Sequence, residues 1–230
     1  MPLVATNRHG LVSVITVNNP PVNALSQGVR EGLLSSLQEA NLDPETKSIV
    51  ITCAGRTFIA GADIREFDKP PEAPHLPDVV SAIEASEKLV LAAICGNALG
   101  GGLEVALGCH YRIAAIDAVV GLPEVKLGLL PGASGTQRLP RLSGIQKALD
   151  MILSGNPLSA VEALKIGIID KIVNTDELQA AAIAYAEELI VTGPRRICDM
   201  NAPQPNPTLF DNTRKKIAVI TTGIIIIIFC

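Results

Sequence analysis

Two stretches of this chain, residues 49–52 and 89–95, are apolar almost throughout instead of alternating. A strand of that kind must be covered on both faces, since side chains pointing either way would otherwise meet water. The pattern predicts an α/β fold whose hydrophobic strands form sheets overlaid by helices. With 230 residues and 48% hydrophobic composition, the chain can bury one sizeable core, within the roughly 100–250 residues of an ordinary domain. It has 19 Gly and 16 Pro against four Phe, two Tyr and no Trp. The core should therefore be aliphatic, with tight turns and close backbone approaches.

An alternating, β-branched run over 11–17 predicts a first strand. It enters Asn18-Asn19-Pro20-Pro21-Val22-Asn23, a stiff turn. Ser26 can cap a helix carrying Val29, Leu33 and Leu37 at i, i+4 and i+8. Residues 49–52 form the second strand and 56–63 a loop of small residues. Pro70, Pro71, Pro74 and Pro77 predict an exposed, mobile loop over 69–78, with a helix over 79–86. A third strand at 89–95 runs into a turn at 96–102 and a helix at 103–107. Strands follow at 111–115 and 119–120, and a helix at 146–153. Ser159 with Glu162 is a capping box. After a strand at 168–173, Asp176 caps a last clear helix over 177–191, ended by Gly193 and Pro194. Strand–strand–helix units recur, without a sequence repeat at fixed period.

A net charge of −4 argues against general nucleic-acid affinity. The cysteines (53, 95, 109, 198 and 230) are odd in number, form no CxxC, and lie partly in apolar runs. That suits free thiols in a reducing compartment. Without a basic head and apolar signal core, the expected setting is intracellular. Asn206-Pro207-Thr208 is excluded from glycosylation by its proline. The segment 217–230, which includes five consecutive isoleucines, falls short of the roughly 20 residues of a membrane span. It reads as a truncated end or a buried strand. His9, His75 and His110 are scattered without metal-ligand spacing, and no P-loop, GxGxxG or nucleophile elbow is present.

Two glutamates carry the candidate chemistry. Glu104 follows Gly100-Gly101-Gly102-Leu103, and Glu124 follows Gly121-Leu122-Pro123. Each carboxylate is set in apolar, glycine-rich sequence where a charge is expensive, a placement that shifts pKa values toward acid–base use. Two such groups at one reacting centre could move a proton and a water. The alternative for Glu104 is an acid placed to suit a helix N-terminus, on the surface.

Four blocks in order, Phe58 to Ile64, Gly96 to Glu104, Leu122 to Gly132 and Gly135 to Arg141, resemble the crotonase (enoyl-CoA hydratase/isomerase) superfamily over about residues 10–200. Leu107-Gly108-Cys109-His110-Tyr111-Arg112-Ile113-Ala114 and Pro194-Arg195-Arg196 resemble its branch found as the N-terminal hydratase domain of peroxisomal-type bifunctional fatty-acid oxidation enzymes. The resemblance implies a spiral of repeated ββα units. It implies a catalytic core over residues 1–200 and an atypical segment over 201–230, where the family's C-terminal helical layer is missing or replaced.

The same resemblance implies the site. Glu104 and Glu124 match the two catalytic carboxylates, and the amides of Ala62 and Gly101 the two oxyanion donors. The amide of Gly132 matches a water anchor. Val22, Ala24, Leu25, Ala60, Asp63 and Ile64 fall on the coenzyme A path, Asp63 more as a loop-fixing carboxylate than as a catalyst. Arg30, Arg65 and Lys69 are candidates for the phosphates. The implied partner is an acyl-CoA thioester, with no metal or redox cofactor, no nucleic acid and no membrane. A homo-oligomer, a trimer in the family, is implied, as is a location that is cytoplasmic if bacterial and peroxisomal if eukaryotic. Retention of both acids favours hydration of trans-2-enoyl-CoA to 3-hydroxyacyl-CoA. Δ3,Δ2-isomerisation on Glu124 and a non-catalytic or RNA-binding relative are the alternatives.

Overall fold

The computed structural model describes residues 2–66, 70–201, 204 and 206–221. Its strands are β1 (Val4–His9), β2 (Val12–Val17), β3 (Ser48–Cys53), β4 (Leu89–Ile94), β5 (Asn97–Leu99), β6 (Tyr111–Ala115), β7 (Val119–Gly121), β8 (Leu158–Ser159) and β9 (Lys171–Val173). Its helices are α1 (Gln27–Leu42), α2 (Leu76–Ala85), α3 (Gly101–Gly108), α4 (Gly135–Ser143), α5 (Ile145–Ser154), α6 (Ala160–Lys165), α7 (Leu178–Glu188) and α8 (Leu209–Thr221). No helix among the described residues is long and apolar enough to cross a membrane.

A six-stranded sheet runs β1-β2-β3-β4-β6-β9, antiparallel only at β1–β2. Every residue of β4 and β6 is buried, as the unbroken apolar character of β4 requires; β6 carries one charge, Arg112, inside it. Helix α7 lies across β2, β3, β4 and β6, while α1 packs on β1 and β2. A second sheet, β5-β7-β8, is smaller. Two isolated bridges accompany it, Leu25 with Ala62 and Ile59 with Ala98. These bridges reveal the repeat. After β2, β3, β4 and β6 in turn, the chain makes a short extended pairing (at Leu25, Ile59, β5 and β7) and then enters a helix. The fold is thus the expected α/β spiral of ββα units.

The differences from expectation are local. Residues 4–9 form β1, unmarked by hydrophobic alternation because four of its six residues are exposed. The proline-rich segment turns helical at Leu76 rather than 79, since Pro77 falls in the first turn, where a missing N–H is harmless. Within the expected 96–102 turn, Asn97–Leu99 pairs with β7. Ser26 precedes α1 without a side-chain cap, and the Gln27 amide donates instead to Glu66 Oε1 (2.7 Å). Asp176 sits in a 3-10 turn, and Glu177 is the residue that precedes α7. The capping box forms as expected, with Glu162 N–H donating to Ser159 Oγ (3.3 Å) and Ser159 N–H to Glu162 Oε2 (3.0 Å). The isoleucine run, from residue 222 onward, lies outside the described residues.

One buried charge braces the centre. Arg112 on β6 is 0% exposed. Its guanidinium donates to Ile168 O (2.6 Å), Cys109 O (2.8 Å) and Ala106 O (3.2 Å), and pairs with Asp170 at 3.4 Å. The Ala106 and Cys109 carbonyls are at the C-terminal end of α3, where a cation is favoured by the helix dipole. Arg112→Ala removes all these donors together and should cost about 3–5 kcal/mol. Urea unfolding measures it, and a loss under about 1 kcal/mol would contradict this account.

Candidate active site

Main-chain hydrogen bonds bring three loops together. Ile59 N–H donates to Asn97 O (3.1 Å) and Leu99 N–H to Ile59 O (3.1 Å), which lays residues 59–62 against β5. Gly100 N–H donates to Gly121 O (2.9 Å), which holds the start of α3 beside the end of β7. Ala60 N–H donates to Val22 O (3.1 Å) and Leu25 N–H to Gly61 O (2.9 Å), which adds the third loop. Ala62, Gly101 and Glu124 are neighbours for this reason, although they span more than sixty positions of sequence.

Space around the glycines shows how close the approach is. Gly100 has φ +54°, and a Cβ there would lie 3.3 Å from Glu124 Oε1. A Cβ on Gly101 would lie 3.8 Å from Ala62 N, 3.0 Å from Leu25 Cδ1 and 2.7 Å from Leu76 Cδ2. The Ala62 amide thus faces the first residue of α3. The Gly101 amide belongs to the first turn of that helix, where N–H groups have no intrahelical acceptor and the dipole favours negative charge. Ala62 is exposed, while Gly101 is buried.

Glu104 is 2% exposed. Its Oε1 accepts from Ala133 N–H (2.7 Å) and Gly135 N–H (2.8 Å). Burial pushes its pKa above the usual carboxylate value, although the Gly135 and Ala133 amides and the Arg138 charge pull the other way. Glu124 is half-buried at the start of a 3-10 turn. Its Oε2 is buried without a hydrogen-bond partner. Its pKa is also raised, by burial first and further by the Glu104 charge. A buried and a half-buried carboxyl, both pushed above the usual range, form the kind of cluster found at acid–base sites. Gly132 is exposed in the loop whose next residues clamp Glu104, with open space where a side chain would stand.

The remaining expected residues form the rim. Val22 is 42% exposed and Ile64 is 71% exposed, while Ala24 and Ala60 are partly covered. Leu25 is 1% exposed, so its side chain walls the core side of the loop. Asp63 is 6% exposed. It accepts from the Arg65 backbone N–H (3.0 Å) and pairs with the Arg65 guanidinium (2.6 Å), which tightens this turn. Arg30 is corrected as a phosphate candidate. It is buried, and its guanidinium is spent on Glu66 Oε2 (2.7 Å), Leu25 O (2.8 Å), Pro74 O (2.7 Å) and Glu72 O (3.0 Å). Arg65 remains on the surface, with a side chain 75% exposed. Lys69 lies outside the described residues.

Sequence reasoning missed Asn23, which adopts φ +54°. Its side chain accepts from Asn19 N–H (2.7 Å) and donates to Ala54 O (2.9 Å) and Thr57 O (2.7 Å), tying the first loop to the second. An asparagine closing a proline turn was the available signal. The clamp on Glu104 was missed too, because backbone donors leave no mark in a sequence. His110 is structural, as expected. Its Nδ1 accepts from Val90 N–H (2.9 Å), Nε2 donates to Glu84 O (3.1 Å), and burial holds its pKa low. Among the described residues, no three His, Cys, Asp or Glu could hold a metal ion together.

Gly101 and Gly102 should respond differently to alanine. A Cβ on Gly102 would lie 2.1 Å from Ile59 O, a backbone atom that cannot step aside. Gly102→Ala should therefore cost about 3 kcal/mol or more. Gly101→Ala meets the ends of two leucine side chains, so it should cost only about 1 kcal/mol. Equal losses by chemical denaturation would contradict the stated contacts.

The sequence profile of the family described as enoyl-CoA hydratase/isomerase matches residues 7–204. Among curated proteins, the chain is 51% identical to the peroxisomal bifunctional enzyme of Homo sapiens over 197 residues, 84% of this chain and 27% of that protein. It is 46% identical to the probable enoyl-CoA hydratase of Bacillus subtilis (strain 168) over 189 residues, 77% of this chain and 73% of that protein. The chain thus spans about a quarter of the length of the bifunctional relatives it matches. Among solved structures, an enoyl-CoA hydratase from Bacillus anthracis superposes with a TM-score of 0.78 at 36% identity, covering 83% of this chain and 77% of that one. Pseudomonas aeruginosa DspI superposes with a TM-score of 0.79 at 31% identity, covering 97% of each chain. The match over residues 7–204, together with 46% identity to a curated relative covered over 73% of its length, places this chain in the enoyl-CoA hydratase/isomerase family.

Proposed function

We propose that the protein adds water to trans-2-enoyl-CoA thioesters to give 3-hydroxyacyl-CoA, a step of fatty-acid β-oxidation. The observation that carries this is the pairing of Glu104, clamped by two amides, with Glu124, whose buried Oε2 has no partner. Water attack at C3 sends negative charge to the thioester oxygen. The Ala62 and Gly101 amides stabilise that charge, and such donors are worth about 3–4 kcal/mol each. Glu104 takes a proton from the attacking water, which the Gly132 amide anchors. As the C3–O bond forms, Glu124 serves the proton that forms the new C2–H bond. Val22, Ala24, Leu25, Ala60 and Ile64 line the path of the coenzyme A arm, with Asp63 holding that loop.

Glu104→Gln and Glu124→Gln should each lower hydration of crotonyl-CoA about 10²- to 10⁴-fold. Near-normal turnover in either variant, read by loss of enoyl thioester absorbance, would remove that residue from the mechanism. Neither variant should lose stability. A carboxyl whose folded pKa lies above its unfolded value of about 4.3 stabilises the fold at low pH, and that contribution is lost as pH rises through the folded pKa. Glutamine removes this loss while keeping an oxygen for the two amides. The acid limb of the rate profile should lie above about pH 4.3, since the base must be ionised.

The Glu124 carboxyl, with Oε1 beside Gly100 and Oε2 unpartnered, favours a second activity at the same site, proton exchange that converts 3-enoyl-CoA to 2-enoyl-CoA. Glu104→Ala should abolish hydration and keep isomerisation within about tenfold. Equal loss of both in a coupled assay would show that the two acids cannot be separated.

A further inference from the structure

Arg138 on α4 is almost completely buried and is far from free. Its Nη2 and Nε donate to Glu84 Oε2 of α2 at 2.7 and 3.2 Å, and both side chains are under a tenth exposed. Its Nη1 donates to Ala133 O (3.2 Å), and its own backbone N–H donates to Ser134 O (2.9 Å). Ala133 and Gly135 are the two residues whose amides clamp Glu104. Between them Ser134 has φ +71°, the left-handed turn that lets both N–H groups point to one side. The Ala133 carbonyl points to the other side, and Arg138 holds it. Glu84 is fixed in turn by Cys198 N–H on Oε1 (2.9 Å), and its carbonyl accepts from His110 and Arg196.

We propose that Arg138, locked by Glu84, is a positioning residue of the acid–base site: it fixes the turn at residues 133–135 so that two amides meet Glu104, and it places a positive charge behind that turn. This rests on the proposed acid–base role of Glu104. A buried ion pair is seldom a source of stability when an apolar pair could take its place. Here the pair spans α2, α4 and the segment around Cys198, and its cation is turned toward the catalytic loop. The charged group acting on Glu104 is Arg138 from α4, with Glu84 behind it, and the Glu104 charge in turn acts on Glu124 from the turn after β7. Arg138 favours the ionised form of Glu104. Glu84 itself is held below the usual carboxylate value, because Arg138 and the Cys198 amide outweigh its burial.

The test uses the full chain with ¹³C-labelled glutamate carboxyls, the Glu104 signal being assigned by its absence from Glu104→Gln. Arg138→Met should raise the Glu104 midpoint by about one pH unit. It should also lower kcat on crotonyl-CoA about tenfold near neutral pH, with KM nearly unchanged. Arg138→Lys should restore the midpoint but not kcat, since lysine carries the charge without the fork. Glu84→Gln leaves Arg138 uncompensated and should move the midpoint down, opposite to Arg138→Met. A purely structural pair would shift Tm in both variants and leave the midpoint where it was, and that result overturns the proposal. If Arg138→Met does not fold, the Glu84→Gln and Arg138→Lys titrations decide alone. The titration needs no turnover, so a wild-type protein that failed to hydrate crotonyl-CoA would refute the hydratase assignment while leaving this proposal to be judged separately.

Discussion

Backbone pairing between short segments is the constraint on which the structure depends. The main sheet supplies a rigid base, but its strands end before the site begins. Past those ends, the chain continues through single bridges and three-residue ladders, from Leu25 to Ala62, Ile59 to Ala98, and β5 to β7. Each bridge fixes the distance between one loop and the next to within a hydrogen bond. The catalytic geometry is therefore an extension of sheet geometry. This explains why the amide of Ala62 can be aimed at the first turn of α3, and why Gly102 must be bare: a peptide carbonyl passes where its side chain would be.

Electrostatics then acts on what the backbone has placed. The N-terminal turn of α3 offers positive dipole near Ala62 and Gly101, while Glu104 lies one turn further on, inside the protein. Burial pushes both acids up, and two main-chain donors and Arg138 oppose that for Glu104. Glu124 has less help, as its Oε2 has no partner. The two carboxyls are thus unequal in surroundings as well as in position. That inequality suits a division of work between water activation and proton exchange at carbon.

The sequence displayed the scaffold and the charged participants and concealed the connections. Apolar runs betrayed β3 and β4 because strands covered on both faces rarely tolerate anything else, and β6 shows the exception, a buried Arg112 that spends its donors on carbonyls and Asp170. Glu104 and Glu124 were visible because charges stand out in glycine-rich apolar sequence. β1 was hidden by its exposed edge, and β5 by a length too short for any periodicity. The start of α2 was masked by Pro77, which signals a break and a first helical turn equally well. Arg30 looked like a phosphate ligand because an arginine on a helix near a loop shows its charge and not its partners. The ties at Asn23, Ala133 and Gly135, and the Glu84–Arg138 pair across 54 positions, come from tertiary closure and have no local pattern.

The amides proposed to meet the thioester oxygen belong to residues with almost nothing to remove. Ala62 offers a single methyl group and Gly101 only hydrogen. Alanine scanning, which equates importance with what a truncated side chain takes away, has nothing to take at Ala62 and at Gly101 reads only the crowding of an added methyl group. Only a change in the chain itself, such as an ester in place of one peptide link, deletes such a donor. Sites made this way shelter their most valuable groups from ordinary point mutation and leave drift to act on the size of the neighbours.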